Sequence, residues 1–284
     1  ELKPDDANNI GNYALFLSDI RKDFDKAEKL YQKAIELDPN HANKIGNYAL
    51  FLKKICKDFD KAEKLYQKAI ELDPNHANKI GNYANFLSDI RKDFDKAEVL
   101  YQKAIELDTN HVNNIGNYAN FLKNIRMDSD QAEDFYKKAI ELDPNNANNN
   151  GNYANFLSDI RMDYDIAEEL YQKAIELKPD DADFISNYAI FLSDIRKDYD
   201  KADELYQKAI ELKPDGAEFI GNYANFLLNI RKDYDKAEKL YQKAIELDPD
   251  DADFIGNYAI FLSAIRKDYD KADELYQKAI ELKP

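Results

Sequence analysis

The sequence predicts an all-α fold, a solenoid of stacked antiparallel helical hairpins. Three observations carry that expectation. Prolines fall at 4, 39, 74, 144, 179, 214, 249 and 284, in steps of 35 apart from the gap at Thr109. Each 35-residue unit holds two apolar stripes at helical spacing, separated by a polar turn. Every unit also opens on Asp or Asn, side chains that favour helix starts. The units are 5–39, 40–74, 75–109, 110–144, 145–179, 180–214, 215–249 and 250–284. They fill the chain without a linker or a change of composition, so 1–284 reads as a single repeat domain.

The first unit shows the elements in order. Asp5, with Asn40, Asn75, Asn110, Asn145, Asp180, Asp215 and Asp250 in the later units, is placed to cap the first helix. Ile10, Tyr13, Ala14, Leu17 and Ile20 form its apolar stripe. The polar turn RKDFD follows, and Asp25 with Glu28 has the spacing of a capping box for the second helix. Ala27, Leu30, Tyr31, Ala34 and Ile35 are the second stripe. Pro39 bars a continuous helix into the next unit. One hairpin cannot cover both stripes, so each must stack on its neighbours.

These residues resemble the tetratricopeptide repeat pattern, through Ile10-x2-Tyr13-Ala14-x2-Leu17, then Ala27-x3-Tyr31, then Pro39. The resemblance recurs in all eight units. It departs from the pattern in three ways: Trp is absent, Leu17 stands where Tyr is usual, and the period is 35 rather than 34. The extra residue lies between Leu17 and Ala27, where Arg21-Lys22 replaces a single glycine, so this turn is expected to be one residue longer and to need no left-handed glycine. The pentatricopeptide RNA-binding repeats share the 35-residue length, but they hold RNA along a basic groove.

Charge separates these readings. Acids outnumber bases by 56 to 40, a net of −16. That opposes nucleic acid, whose binding neutralises phosphates with Lys and Arg, and anionic membranes. No apolar run approaches the ~18 residues of a membrane span. The acid is uneven: residues 5–144 carry 21 bases and 25 acids, residues 145–284 carry 18 and 30. A single cysteine, Cys56, forbids an intrachain disulfide and fits a reducing, cytoplasmic compartment.

No catalytic, metal or cofactor site is expected. GxGxxG, GxxxxGK[ST] and HExxH are absent. His41, His76 and His111 lie one repeat apart, too far to share one ion when helices pack ~8–10 Å apart. They read as exposed residues of the first helical turn. Cys56 replaces the arginine found at 21, 91 and 126, and no histidine lies near it in sequence to activate it.

The resemblance implies a right-handed superhelix whose first helices line a concave groove. There it places a complete ladder: Asn12, Asn47, Asn82, Asn117, Asn152, Asn187, Asn222 and Asn257. An asparagine amide both donates and accepts, so one side chain can pair with the C=O and N–H of a peptide unit. Relatives in the family use such a ladder on extended peptides. The other reading of the ladder is hydrogen bonding that fixes the register between units. Beside it stand Asn85, Asn120, Asn155 and Asn225, which alternate with Leu or Ile, and Asn124 one turn on. Lys53 and Lys54 could hold a carboxylate, as in members that clamp a peptide terminus. The glycine before each ladder asparagine, replaced once by Ser186, either lets ligand backbone approach or lets neighbouring first helices pack. Phe184, Phe219 and Phe254 replace polar residues at Asn9, Lys44, Lys79, Asn114 and Asn149, and read as packing between the last units.

The function expected is therefore a non-enzymatic interaction scaffold that binds an extended protein or peptide segment. The alternative is a spacer or self-assembling solenoid, because few residues distinguish one unit from the next. End-to-end self-association belongs to that alternative. Thr109, Ser129 and Asn150 weaken the repeat pattern, which makes 126–152 the expected soft segment.

Overall fold

The computed structural model describes residues 6–283, and they form helical hairpins. Two compact units divide the chain, residues 1–144 and residues 145–284, with four hairpins in each. The first unit runs α1 (Ala7–Phe16), α2 (Phe24–Leu37), α3 (Ala42–Phe51), α4 (Phe59–Leu72), α5 (Ala77–Phe86), α6 (Phe94–Leu107), α7 (Val112–Phe121) and α8 (Ser129–Leu142). The second runs α9 (Ala147–Phe156), α10 (Tyr164–Leu177), α11 (Ala182–Phe191), α12 (Tyr199–Leu212), α13 (Ala217–Phe226), α14 (Tyr234–Leu247), α15 (Ala252–Phe261) and α16 (Tyr269–Leu282). No strand occurs among the described residues.

The first helices start one residue later than the sequence suggests. Their caps are Asp6, His41, His76, His111, Asn146, Asp181, Gly216 and Asp251. Asp5 lies outside the described residues. The reason is a turn: the His41 N–H reaches the Asp38 carbonyl at 3.4 Å, with Pro39 in the second position, where its fixed φ suits a β-turn. Asn40 is used up in that turn. The second helices are capped by Asp23 and its equivalents rather than through an Asp25–Glu28 box; the Asp23 carboxylate accepts from the Lys26 N–H at 3.3 Å. Glu28 instead turns towards the next hairpin, where it accepts from the Tyr48 hydroxyl at 3.0 Å.

The extra residue of the 35-residue period sits at the end of each first helix. Leu17–Arg21 and its equivalents form a π-helical turn that ends on a left-handed residue. That residue is Lys22, Lys57, Lys92, Met127, Met162, Lys197, Lys232 or Lys267, with φ of 56 to 61°. The expectation that a longer turn dispenses with glycine holds for the residue type, but the left-handed conformation remains. The Asp23 N–H bonds the Leu17 carbonyl at 3.1 Å, one residue further back than in an ordinary helix end of this kind. Widening the turn also takes Ile20 off the apolar stripe; it is exposed.

Small residues set the spacing within each hairpin. Ala14, Ala27 and Ala34, and their counterparts through the chain apart from the half-buried Ala279 of the last helix, are buried. Aromatic rings join successive hairpins: Tyr31 packs on Tyr48 and Phe51 at centroid distances of 5.5 and 5.3 Å, and Tyr171 on Tyr188 and Phe191 at 5.7 and 5.2 Å. Outside the rings an arginine clamps the preceding hairpin. Arg91 Nε donates to Glu63 at 2.8 Å and its Nη2 to Asp60 at 2.5 Å, and the guanidinium lies over Phe86. Arg126, Arg196 and Arg266 repeat the arrangement. Cys56 breaks it, with only a 3.9 Å contact from its thiol to Glu28. Burial and that carboxylate hold the thiol above its ordinary range, which argues against a reactive cysteine.

Position 184 and its equivalents show two chemistries. In residues 1–144, Lys44 and Lys79 are buried against the preceding loop and pair with Asp38 at 3.4 Å and Asp73 at 3.2 Å. In residues 145–284, Phe184 and Phe219 lie beneath Lys178 and Lys213, inside the core between hairpins. The phenylalanines are packing residues. The same position explains a glycine: a Cβ on Gly151 would stand 2.7 Å from the Phe184 ring, and one on Gly81 would overlap the Asn114 amide. These glycines face the next first helix, so close helix packing accounts for them. Asn150, in place of an isoleucine, is fully buried and donates to the Asn146 carbonyl at 2.8 Å.

Candidate peptide groove

First helices form one face in each unit. Within residues 1–144, α1, α3, α5 and α7 contact one another in succession, and within residues 145–284, α11 contacts α13. Successive second helices make no contact as extensive. Helices that approach more closely on one side of a stack lie on its inner, concave side.

The ladder asparagines lie on these first helices and keep contact with solvent. Asn12 and Asn47 are exposed; Asn82, Asn117, Asn152, Asn187, Asn222 and Asn257 are half-buried. Among the described residues, Asn82 is the ladder member with a side-chain hydrogen bond, donating to Asn78 at 3.2 Å. The remaining rungs leave amide donors and acceptors open, with no bonds between units that would fix register.

The neighbouring asparagines are held differently. Asn85, Asn120, Asn155 and Asn225 each accept, through Oδ1, from the hydroxyl of a tyrosine in the same hairpin. The donors are Tyr101, Tyr136, Tyr171 and Tyr241, at 2.5 to 2.7 Å. Burial pushes these phenols well above their ordinary pKa, which favours the protonated, donating hydroxyl. Where Leu50 takes the asparagine's place, the Tyr66 hydroxyl is buried with no hydrogen-bond partner. The varying asparagine is thus part of the hairpin's polar core, with its amide N–H2 still available. Sequence reasoning missed this bond. Its signal was the tyrosine 16 residues on, which every unit keeps.

Lys53 and Lys54 part company. Lys53 is folded down onto Asp89 of the next hairpin at 2.7 Å, whereas Lys54 is exposed. Asn124 is exposed at the end of the fourth first helix. Histidines are half-buried helix caps rather than exposed first-turn residues, because each first helix starts one residue later than expected. No cluster of three or more His, Cys, Asp or Glu side chains among the described residues could hold a metal ion. No described helix is long and apolar enough to cross a membrane.

Eight helical hairpins with alanine-spaced cores and aromatic junctions define a helical repeat protein of the interaction-scaffold class. Comparison with known families agrees. Tetratricopeptide repeat profiles match residues 135–169, 170–204, 240–274 and 265–284. A profile described as TmcB, TPR repeats, matches 14–79 and 189–254, and the Sel1 repeat matches 77–108 and 124–144. The chain belongs to the tetratricopeptide repeat family.

Similar folds are found among solved structures. Yeast Tom70 superposes with a TM-score of 0.64 at 24% identity, over 99% of this chain and 61% of that one. The human IFIT1 dimer with PPP-AAAA gives a TM-score of 0.71 at 17% identity, over 97% and 73%. The chain therefore spans about three fifths of the length of Tom70. No curated protein matches it.

Proposed function

We propose that the chain is a non-enzymatic scaffold that holds an extended peptide segment along the asparagine ladder. The observation that carries this reading is the state of the rungs: solvent-accessible amides on the contacting first helices, with seven of the eight making no side-chain hydrogen bond among the described residues. Asparagines that served register would spend their donors and acceptors on neighbouring hairpins. Main-chain recognition also fits near-identical units, because it does not depend on the ligand's side chains. Lys54 supplies an exposed cation at the second hairpin for an acidic group of the ligand. A nucleic acid of the kind carried by the IFIT1 structure fits poorly with a net charge of −16. The single cysteine accords with a cytoplasmic setting.

The test is selection of binders from a displayed random peptide library, followed by fluorescence anisotropy with a synthetic selected peptide. Replacing Asn47, Asn82 and Asn117 together by Ala is expected to weaken binding at least ~10-fold, the equivalent of about 1.4 kcal/mol, with helicity unchanged. Unaltered affinity, or a library that yields no binder, overturns the reading.

Self-assembly of the 284-residue chain is the second reading, favoured by one observation. Tyr13 and Phe16 of the first hairpin are 44% and 43% exposed, and Tyr276 of the last 37%, although their equivalents elsewhere are buried. Stacking of one copy's last hairpin on another's first would cover both sets. A monomeric sedimentation profile at high concentration contradicts it.

A further inference from the structure

The first-helix caps divide the chain by chemistry. Residues 1–144 use His41, His76 and His111 at three of their four caps. In residues 145–284 the same place holds Asn146, Asp181, Gly216 and Asp251, with no histidine among them. We propose that residues 1–144 contain acid-sensitive joints: protonation of His41, His76 and His111 loosens the starts of α3, α5 and α7, while α9, α11, α13 and α15 hold.

Three features of the geometry carry this. A helix N-terminus is the positive end of the dipole, so an imidazolium there is unfavourable. Next, His111 caps through its ring: Nδ1 accepts from the Asn114 N–H at 3.3 Å. Protonation puts a hydrogen on Nδ1 and removes that acceptor. Nε2 stands 3.3 Å from Asn78 Nδ2, a second donor, so a neutral ring accepts at one of its two nitrogens and an imidazolium accepts at neither. His41 Nδ1 is buried without a partner, which leaves a new N–H there unsatisfied. Finally, Lys44 and Lys79 follow His41 and His76 by three residues and are themselves buried. His76 lies near both Lys79 and His111, and burial with those positive charges holds it below its ordinary 6.5.

The opposing groups are carboxylates. Asp38, Asp73 and Asp108 precede the three histidines by three residues, and Asp73 favours the His76 imidazolium. Asp38 and Asp73 are already engaged by Lys44 and Lys79, so they offset the effect only in part. For His76 the sign follows from its lowered folded pKa. Its contribution to stability is present above about pH 6.5, and it is lost as pH falls through the folded pKa.

Hydrogen exchange of the full chain at pH 7.5 and 5.5, corrected for the intrinsic pH dependence of exchange, tests the proposal. Protection at amides 42–45, 77–80 and 112–115 is expected to fall several-fold on acidification, with none lost at 182–185 or 252–255. The combined variant His41→Asn, His76→Asn and His111→Asn, which copies the Asn146 cap, is expected to abolish the difference. Equal loss in both halves, no loss, or the same loss in the variant overturns the proposal. Should the variant not fold, the imidazole titration of wild-type His76 by NMR decides: a pKa at or above 6.5 overturns it, and a lower one supports it.

Discussion

Asn85 and Asn82 share one helix and one face, yet their amides do different things. Asn85 accepts from the Tyr101 hydroxyl at 2.6 Å; Asn82 donates to Asn78 one turn back on its own helix. Replacing Asn85 by Leu is expected to leave the Tyr101 hydroxyl as Tyr66 is left beside Leu50, at a cost of about 1–3 kcal/mol for a buried unsatisfied donor. Adding Tyr101→Phe should recover most of that, because removing both partners of a buried hydrogen bond is nearly neutral. A thermal double-mutant cycle measures it, and strict additivity would show the bond to be immaterial. The sequence made both asparagines candidates for ligand contact. It could not separate them, because whether an amide is spent depends on a tyrosine 16 residues away that only the packed hairpin brings within reach.

The turn between the two helices of each hairpin repeats the lesson one level up. Proline spacing, alanine positions and the paired apolar stripes were enough to place sixteen helices and order them as hairpins. Caps were harder to read. Asp, Asn and His crowd together at each helix start, and a β-turn decides which of them is the cap. The added residue was legible as a longer turn, but its absorption in a π-helical widening was not, since composition does not distinguish a loop from a widened helix end. Each widened end places a side-chain-bearing residue at positive φ. Lys197→Gly is expected to stabilise the chain by about 1 kcal/mol. A left-handed non-glycine residue costs ~1–2 kcal/mol, and the glycine returns part of this in unfolded-chain entropy. A rise in denaturant midpoint at constant slope would show it; a fall would mean that the lysine side chain holds the turn.

Across the eight hairpins, near-identity conceals differences at the junctions. An arginine clamp closes Arg91, Arg126, Arg196 and Arg266 onto paired carboxylates of the preceding hairpin, while Arg231 reaches Asp200 and the Tyr199 carbonyl. Arg91 holds the Asp60 carboxyl below the usual carboxylate range, and Arg266 does the same for Asp235. Cys56 leaves the junction between the first two hairpins without a clamp. Cys56→Arg should restore contacts to Asp25 and Glu28 and raise the melting temperature slightly, since exposed ion pairs contribute at most ~1 kcal/mol. High salt should erase the gain; a lower melting temperature would contradict the clamp. Junction differences of this kind adjust stability hairpin by hairpin, whereas the ladder runs through every unit unchanged. That contrast makes the ladder the central functional claim. Its most direct test is NMR of the asparagine side-chain amides during titration with a library-selected peptide. Binding through the ladder predicts that the amide resonances of Asn47, Asn82 and Asn117 shift together. Shifts confined to other surfaces, with these three unmoved, would contradict it.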